Sequence, residues 1–156
     1  MEESELKRLE KINAAAAERD RKIKEEEKAR MAEEAATKAR LQGARENWQL
    51  IFTTLNIVIQ DVNQNIREHG SFHASKAASH APLGGCDVLF SGKAGSGGEI
   101  KFRATPMGSI SVDFEPGASH GFKNDSMVNP PALPFEKATR AALVSVLLDF
   151  LEQKIS

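Results

Sequence analysis

The charged residues and the large apolar residues of this chain are concentrated in different parts of the sequence. Residues 1–46 contain 12 acidic and 12 basic side chains. Apart from Met1, their only large aliphatic residues are Leu6, Leu9, Ile12, Ile23, Met31 and Leu41. So little apolar area cannot offset the conformational entropy that a folded core costs. The core is therefore expected within residues 47–156, a segment long enough for one modest domain.

Residues 1–44, here called the charged segment, are predicted to form one long helix exposed to solvent. Ala, Glu, Lys and Arg, which are strong helix formers, dominate this proline-free segment. Two heptad seams occur in it, the first made of Leu9, Ile12, Ala16 and Ile23, the second of Ala29, Ala32, Ala36 and Ala39. The seams are short and out of phase with each other, so they predict a weak coiled coil. Oligomerisation through this helix and a solvated single helix therefore both remain open.

Residues 45–156 are predicted to form a small α+β domain that begins and ends with a helix. Apolar residues recur at alternating spacings of four and three, which is the period of one helical face, at Trp48, Phe52, Leu55, Ile59, Val62 and Ile66. Gly70 is expected to end this helix. Pro134 is expected to open the last one, whose apolar stripe comprises Phe135, Ala138, Ala142, Leu143, Val146, Leu147, Phe150 and Leu151.

Three segments between these helices, residues 87–91, 99–104 and 109–115, are predicted to be antiparallel strands. In the last two, polar and apolar residues alternate strictly. A three-residue loop with Gly108 in a left-handed conformation would pair Phe102 with Val112 and Lys101 with Asp113. The element order α-β-β-β-α predicts a two-layer sandwich, with both helices on the apolar face of a three-stranded sheet. Residues 70–86 and 116–134 are expected to be connections, the second with a short strand near Phe122.

Side chains that carry catalytic or metal chemistry are few. His69, His73 and His80 precede the only cysteine, Cys86, but their spacings match no zinc pattern. A cysteine beside a histidine can act as a nucleophile, and the two glycines before Cys86 would let a substrate approach. A lone cysteine at the start of a strand is more typical of a buried apolar position. We therefore expect no metal and no cofactor, and we favour a binding protein over an enzyme.

Phosphate binding has two candidate locations in the sequence. The glycine-rich run 91–98 lacks the order of a phosphate-binding loop and precedes a strand rather than a helix. Lys93, Lys101 and Arg103 would instead form a basic patch on the open face of the sheet. The element order resembles that of double-stranded-RNA-binding domains, which implies RNA as a ligand. The start of the last helix, residues 135–140, lacks the dense lysine cluster of that family.

The sequence thus favours a non-enzymatic protein-interaction or assembly module. The charged segment would act as a spacer or oligomerisation arm, and the α+β domain would bind a protein partner or a second copy through its open sheet face or the edge of its first strand. The alternative is a small domain that binds nucleic acid or an anionic ligand through Lys93, Lys101 and Arg103. A single cysteine and the lack of a long apolar run predict a soluble cytoplasmic protein with no membrane partner.

Overall fold

The structure of the chain, a computed structural model, describes residues 2–75, 81–93, 97–117 and 127–155. Its elements in chain order are α1 (Glu3–Asn65), β1 (Gly70–Ala74), β2 (Gly85–Gly92), β3 (Gly97–Ala104), β4 (Ser109–Glu115), β5 (Leu133–Pro134), a 3₁₀ turn (Phe135–Lys137) and α2 (Arg140–Ile155). The α+β class is as predicted. The chain divides into two compact units, Met1–Arg40 and Leu41–Ser156.

The first unit is helical throughout its described length. Every residue from Glu2 to Ala36 is exposed, so the backbone hydrogen bonds of the helix and its strong helix formers account for its conformation. Charged side chains pair along its surface, and Arg21 contacts both Glu18 and Glu25, at 2.5 and 3.1 Å. Exposed pairs of this kind stabilise a helix by about 0.3–0.5 kcal/mol each.

The sheet of the second unit has five strands, so the prediction of three strands was wrong. The strands follow the order β1-β2-β3-β4-β5, every neighbouring pair is antiparallel, and the sheet curls into a half-barrel. Strand β1 lies in the segment 70–86, which was expected to be a connection. Phe72 is the only buried residue of this strand, so its sequence shows no alternation of apolar and polar residues. Strand β5 has only two residues, one of them proline, which is too short for a periodic pattern.

The predicted register between β3 and β4 is confirmed. Phe102 pairs with Val112, and Lys101 pairs with Asp113 on the opposite face. The loop between them closes as expected, because Gly108 adopts a φ of 79° and the amide of Thr105 donates to the carbonyl of Ser109 at 2.9 Å. The alternation of apolar and polar residues together with one loop glycine was therefore sufficient to fix this hairpin.

A single core joins the inner face of the sheet to both helices. It contains Trp48, Leu55 and Val62 from α1, and Leu143, Leu147 and Phe150 from α2. The ring of Phe150 lies 5.3–6.0 Å from three other core rings by centroid distance, edge-on to Phe72 at 6.0 Å and to Phe114 at 5.3 Å. The predicted apolar faces of both helices are thus the buried ones. Neither helix in the described ranges has a stretch apolar enough to span a bilayer.

Both predicted helix boundaries need correction. Helix α1 ends at Asn65, and Gly70 is the first residue of β1. Pro134 lies in β5, and α2 begins at Arg140, where the Thr139 hydroxyl accepts a hydrogen bond from the amide of Ala142 at 3.3 Å as an N-cap does. The extra strand expected near Phe122 falls outside the described residues.

Candidate functional site

Two of the three residues of the predicted basic patch, Lys101 and Arg103, lie on the solvent side of β3. This outer sheet face also carries the side chains of Asp87, Leu89, Glu99, Ser111, Asp113 and Glu115. The ammonium of Lys101 lies 2.9 Å from a carboxylate oxygen of Glu115. The guanidinium of Arg103 lies 2.6 Å from the carboxylate of Asp87. Both cations are therefore already paired with acidic groups of the same face.

The outer sheet face is net negative. Two cations stand there against four carboxylates, those of Asp87, Glu99, Asp113 and Glu115. The pKa of Glu99 is raised, first by burial and then by the nearby charge of Asp87. The pKa of Lys101 is also raised, chiefly by its hydrogen bond to Glu115. A surface with this charge repels phosphate groups, so it is a poor site for nucleic acid.

Lys93 does not belong to the same patch. Lys93 comes directly after the last residue of β2, Gly92. Asp87, the residue opposite Lys101 in the strand register, lies near the other end of β2. Lys93 lies six positions after Asp87 along the chain, and six steps of extended strand span about 20 Å. Lys93 instead borders a shallow groove with Arg67, Ser71 and Ser91. The structure thus brings Lys101 and Arg103 together and places Lys93 with a different arginine.

The described histidines and Cys86 do not form a reactive pair. Cys86 is fully buried on the inner face of β2, and its thiol donates to the carbonyl of Ser75 at 3.3 Å. His73 is exposed on β1, where a ring nitrogen lies 3.2 Å from the hydroxyl of Ser71. Successive strand residues point to opposite faces, and His73 therefore lies across the sheet from the thiol. His80 falls outside the described residues. Within the described ranges, no three His, Cys, Asp or Glu side chains converge as metal ligands.

The thiol of Cys86 is expected to be unreactive in the folded protein. Burial, followed by the neighbouring charge of Asp87, raises the pKa of this thiol to about 11. The nucleophilic thiolate is therefore scarce at neutral pH. A thiol reagent in solution cannot reach the buried sulfur unless the sheet opens. Labelling with a chromogenic disulfide reagent at pH 7.5 should be far slower in buffer than in denaturant. Equal rates in both solutions would show that the assigned burial is wrong.

Side-chain amides cover backbone groups of the sheet where no neighbouring strand does. Asn63 on α1 accepts from the amide of Phe72 at 2.7 Å and donates to its carbonyl at 2.8 Å, so it continues the ladder beyond β1. Asn129 accepts from the amide of Phe114 on β4 at 2.7 Å. The first predicted strand, now β2, is an interior strand between β1 and β3. The hypothesis that its edge receives a partner is therefore wrong.

Replacing Asn63 by alanine should destabilise the domain by about 2–4 kcal/mol, because two backbone groups of Phe72 lose their partner in a half-buried position. Asn65→Ala serves as the matched control, since the Asn65 amide donates to the carbonyl of Asp61 within its own helix. Chemical denaturation of both variants measures the difference. Equal loss of unfolding free energy in the two would rule out the edge-covering role.

The outward side of α1 in the second unit is the described surface whose composition is least typical of an exposed helix. We call it the α1 outer face and define it by Asn47, Gln49, Leu50, Thr53, Thr54, Asn56, Ile57 and Gln60. Leu50 and Ile57 are 70% and 50% exposed. Residues 47–60 contain no charged side chain, although more than half of residues 1–46 are charged. A solvated helical face normally carries charges, so this one has the composition of a covered surface.

Three polar side chains of the α1 outer face, those of Asn47, Thr53 and Thr54, donate hydrogen bonds to the helix itself. The hydroxyls of Thr53 and Thr54 donate to the carbonyls four residues earlier, at 3.0 and 3.2 Å. The amide of Asn47 donates to the carbonyl of Gly43 at 2.9 Å. These groups need no partner from water, and the threonine hydroxyls turn toward the backbone and leave the methyl groups accessible. Covering the two threonines would thus cost little desolvation.

The inward apolar stripe of the helix, on which the sequence-based prediction rests, does not reveal this face. The available signal was the charge-free run 47–60 on a helix whose opposite side alone fills the core. Comparison of the chain with protein-family models, with curated proteins and with solved structures found no match.

Proposed function

We propose that this chain is a non-enzymatic protein-interaction or assembly module. Its charged segment acts as a helical spacer or oligomerisation arm, and its α+β domain binds a protein partner. The observation that carries the proposal is the α1 outer face, where Leu50 and Ile57 are exposed on a charge-free surface of a folded domain. Burying such side chains contributes about 25 cal/mol per Å² of apolar area to an association.

The contact surface in this proposal differs from the one expected at first. The outer sheet face pairs its cations internally, and carboxamide side chains cover exposed backbone groups at β1 and β4. Both features lower the free energy that the sheet would gain by binding an added strand at its edge or an anionic ligand on its face. The helical side of the domain is therefore the preferred contact surface.

A photo-crosslinking residue at position 50, introduced in cells that naturally express the chain, tests the proposed function. We expect covalent adducts with other proteins, because position 50 lies in the α1 outer face, which the proposal assigns to the partner contact. The same residue at position 136 is the control, since Glu136 is exposed outside the α1 outer face and should give few adducts. The proposal fails if position 50 yields no more protein adducts than position 136.

An anionic ligand remains the second candidate function, at a place other than the open sheet face. Arg67 and Lys93 border one groove with the hydroxyls of Ser71 and Ser91, and none of its described lining residues is acidic. Binding of a short oligonucleotide that weakens steeply with added salt, and that Arg67→Glu abolishes, would favour this candidate. Lys101→Glu should leave such binding unchanged, because Lys101 lies at the other end of the strands.

A further inference from the structure

Resting on the second candidate function, we infer that the groove at the open end of the β1–β2 hairpin binds a single phosphate monoester group rather than the backbone of a polynucleotide. We call it the β1–β2 groove, and its lining includes Arg67, Ser71, Ser91 and Lys93. Two cations and two hydroxyls thus border one depression of the surface, which is the donor set that phosphate oxygens require.

The turn after α1 brings the two cations to the same end of the hairpin. The amides of His69 and Gly70 both donate to the carbonyl of Ile66, at 2.7 and 3.3 Å. The chain therefore reverses its direction around Arg67. The amide of Lys93 donates to the carbonyl of His69 at 3.4 Å, which extends the pairing of β1 with β2 beyond Gly70. Backbone hydrogen bonds consequently hold Arg67 and Lys93 at one groove, although they are remote in sequence.

The two hydroxyls come from residues that face each other across the hairpin. Ser71 and Ser91 are opposite each other in the strand register, and the β-carbons of such a pair lie about 5 Å apart on one face. The Ser71 hydroxyl also lies 3.2 Å from Nε2 of His73. A hydroxyl can donate and accept at once, so Ser71 can accept from His73 and donate to a ligand oxygen.

Asn63 fixes the shape of the groove. It is one of the lining residues, but its side chain accepts from the amide of Phe72 at 2.7 Å and donates to the carbonyl of Phe72 at 2.8 Å. These bonds hold the end of α1 against β1. Asn63 is therefore a positioning residue, and the helix end and strand that carry the donors are held together before a ligand arrives.

The charge of the groove matches one phosphate monoester. None of its described lining residues is acidic, and Arg67 forms no ion pair with any described residue. A phosphate monoester carries a charge of about −1.5 to −2 at pH 7 and offers three acceptor oxygens. The two cations nearly balance this charge, and an arginine can hold two of the oxygens at once.

The surface next to the groove disfavours a longer chain of phosphates. Proteins that bind a polynucleotide contact several phosphates along its backbone. On β2 the next outward residues after Ser91 are Leu89 and Asp87, and Glu99 stands opposite Leu89 on β3. A second phosphate placed over the sheet would therefore meet carboxylates, which repel it. The groove can hold one phosphate, and the outer sheet face rejects the next one.

Titration of the isotope-labelled full chain with a peptide that contains one phosphoserine among alanines and glycines tests the inference. We expect saturable shifts of the amide resonances of Ser71, Ser91 and Lys93 at pH 7.5. The same peptide without its phosphate should cause none. Absence of saturable shifts with the phosphorylated peptide overturns the inference.

Three variants locate the bound phosphate. Arg67→Ala and Lys93→Ala should each raise the dissociation constant of the phosphoserine peptide by about 10-fold or more, because each removes a charge-assisted hydrogen bond. Lys137→Ala is the matched control, since it removes the same charge at an exposed position of the 3₁₀ turn and should leave the dissociation constant unchanged. The amide spectra verify that each variant is folded. Equal weakening by all three variants would mean that net charge alone attracts the peptide, and it would overturn the inference.

Two further ligands define the class of compound. Free phosphoserine that binds as tightly as the peptide would identify a small phosphate compound as the ligand, whereas tighter binding of the peptide would identify a phosphorylated protein. Both results support a monoester site. An oligonucleotide without terminal phosphates, which contains only diesters, should bind at least about 10-fold more weakly than the phosphoserine peptide at the same salt concentration. Tighter binding of the oligonucleotide would overturn the inference and preserve the second candidate function, and the adducts at position 50 test the protein-interaction proposal independently of both.

Discussion

Gly84→Ala is expected to abolish cooperative folding of the α+β domain or to destabilise it severely. A β-carbon at this position would stand 2.2 Å from Cδ1 and 2.4 Å from Cγ of the Trp48 indole. Gly84 also has a φ of 123°, a conformation that L-residues rarely adopt, and this strain alone costs about 1–3 kcal/mol. Trp48 is 3% exposed in the core, and it can make room only by leaving its site.

The loss of tryptophan packing adds a second and larger cost. Removing a large aromatic side chain from a core costs about 3–5 kcal/mol. Together with the backbone strain this approaches the total stability of many domains, about 5–15 kcal/mol. Circular dichroism during thermal unfolding and the emission of Trp48, the chain's only tryptophan, both report the effect.

Gly108→Ala separates the two causes. Gly108 also has a positive φ, of 79°, but a β-carbon there meets nothing within 4 Å. This variant should lose only about 1–2 kcal/mol, the cost of the backbone conformation alone. If Gly84→Ala proves no more destabilising than Gly108→Ala, then the close approach of Trp48 to Gly84 is not a feature of the folded protein.

Gly84 also illustrates what the sequence could not reveal. The glycine pair before Cys86 was interpreted as space for a substrate, whereas the indole of Trp48 occupies the position next to Gly84. The two residues are remote in sequence, and nothing in the local pattern connects them. Asn63 and Phe72 present the same difficulty, because an amide that covers a strand edge looks like any other polar residue on a helix. Contacts of this type depend on tertiary structure and leave no periodic signal.

By contrast, features that repeat along the chain were predictable. Alternation gave the register of β3 and β4 to the residue, and the helical period identified the buried sides of α1 and α2. Strand β1 was not predicted, because a single inward residue, Phe72, does not establish a period of two. Two residues of the predicted basic patch, Lys101 and Arg103, share the outer sheet face. The alternating pattern places them there, but it could not reveal that Arg103 is paired with Asp87, because Asp87 lies on β2, whose register with β3 had not been assigned.

Phe102→Asp is expected to unfold the domain, because Phe102 is 0% exposed at the centre of the inner face. The substitution removes a core aromatic, at a cost of about 3–5 kcal/mol, and places a carboxyl group among apolar side chains without a hydrogen-bond partner. The neighbouring core residues across the sheet, Cys86 and Val112, offer no cation. The sum reaches the range of total domain stability, so we expect loss of the cooperative transition.

Lys101→Ser is the matched control one residue away. Lys101 faces solvent and contributes one partly exposed ion pair with Glu115, so the change should destabilise the domain far less than Phe102→Asp does. Acid offers a second check on Phe102→Asp. Burial disfavours the charged form of the introduced carboxyl, so its penalty relative to the parent should shrink as pH falls and the group is protonated. Equal destabilisation by the two substitutions would mean that the inner and outer faces of the sheet are wrongly assigned.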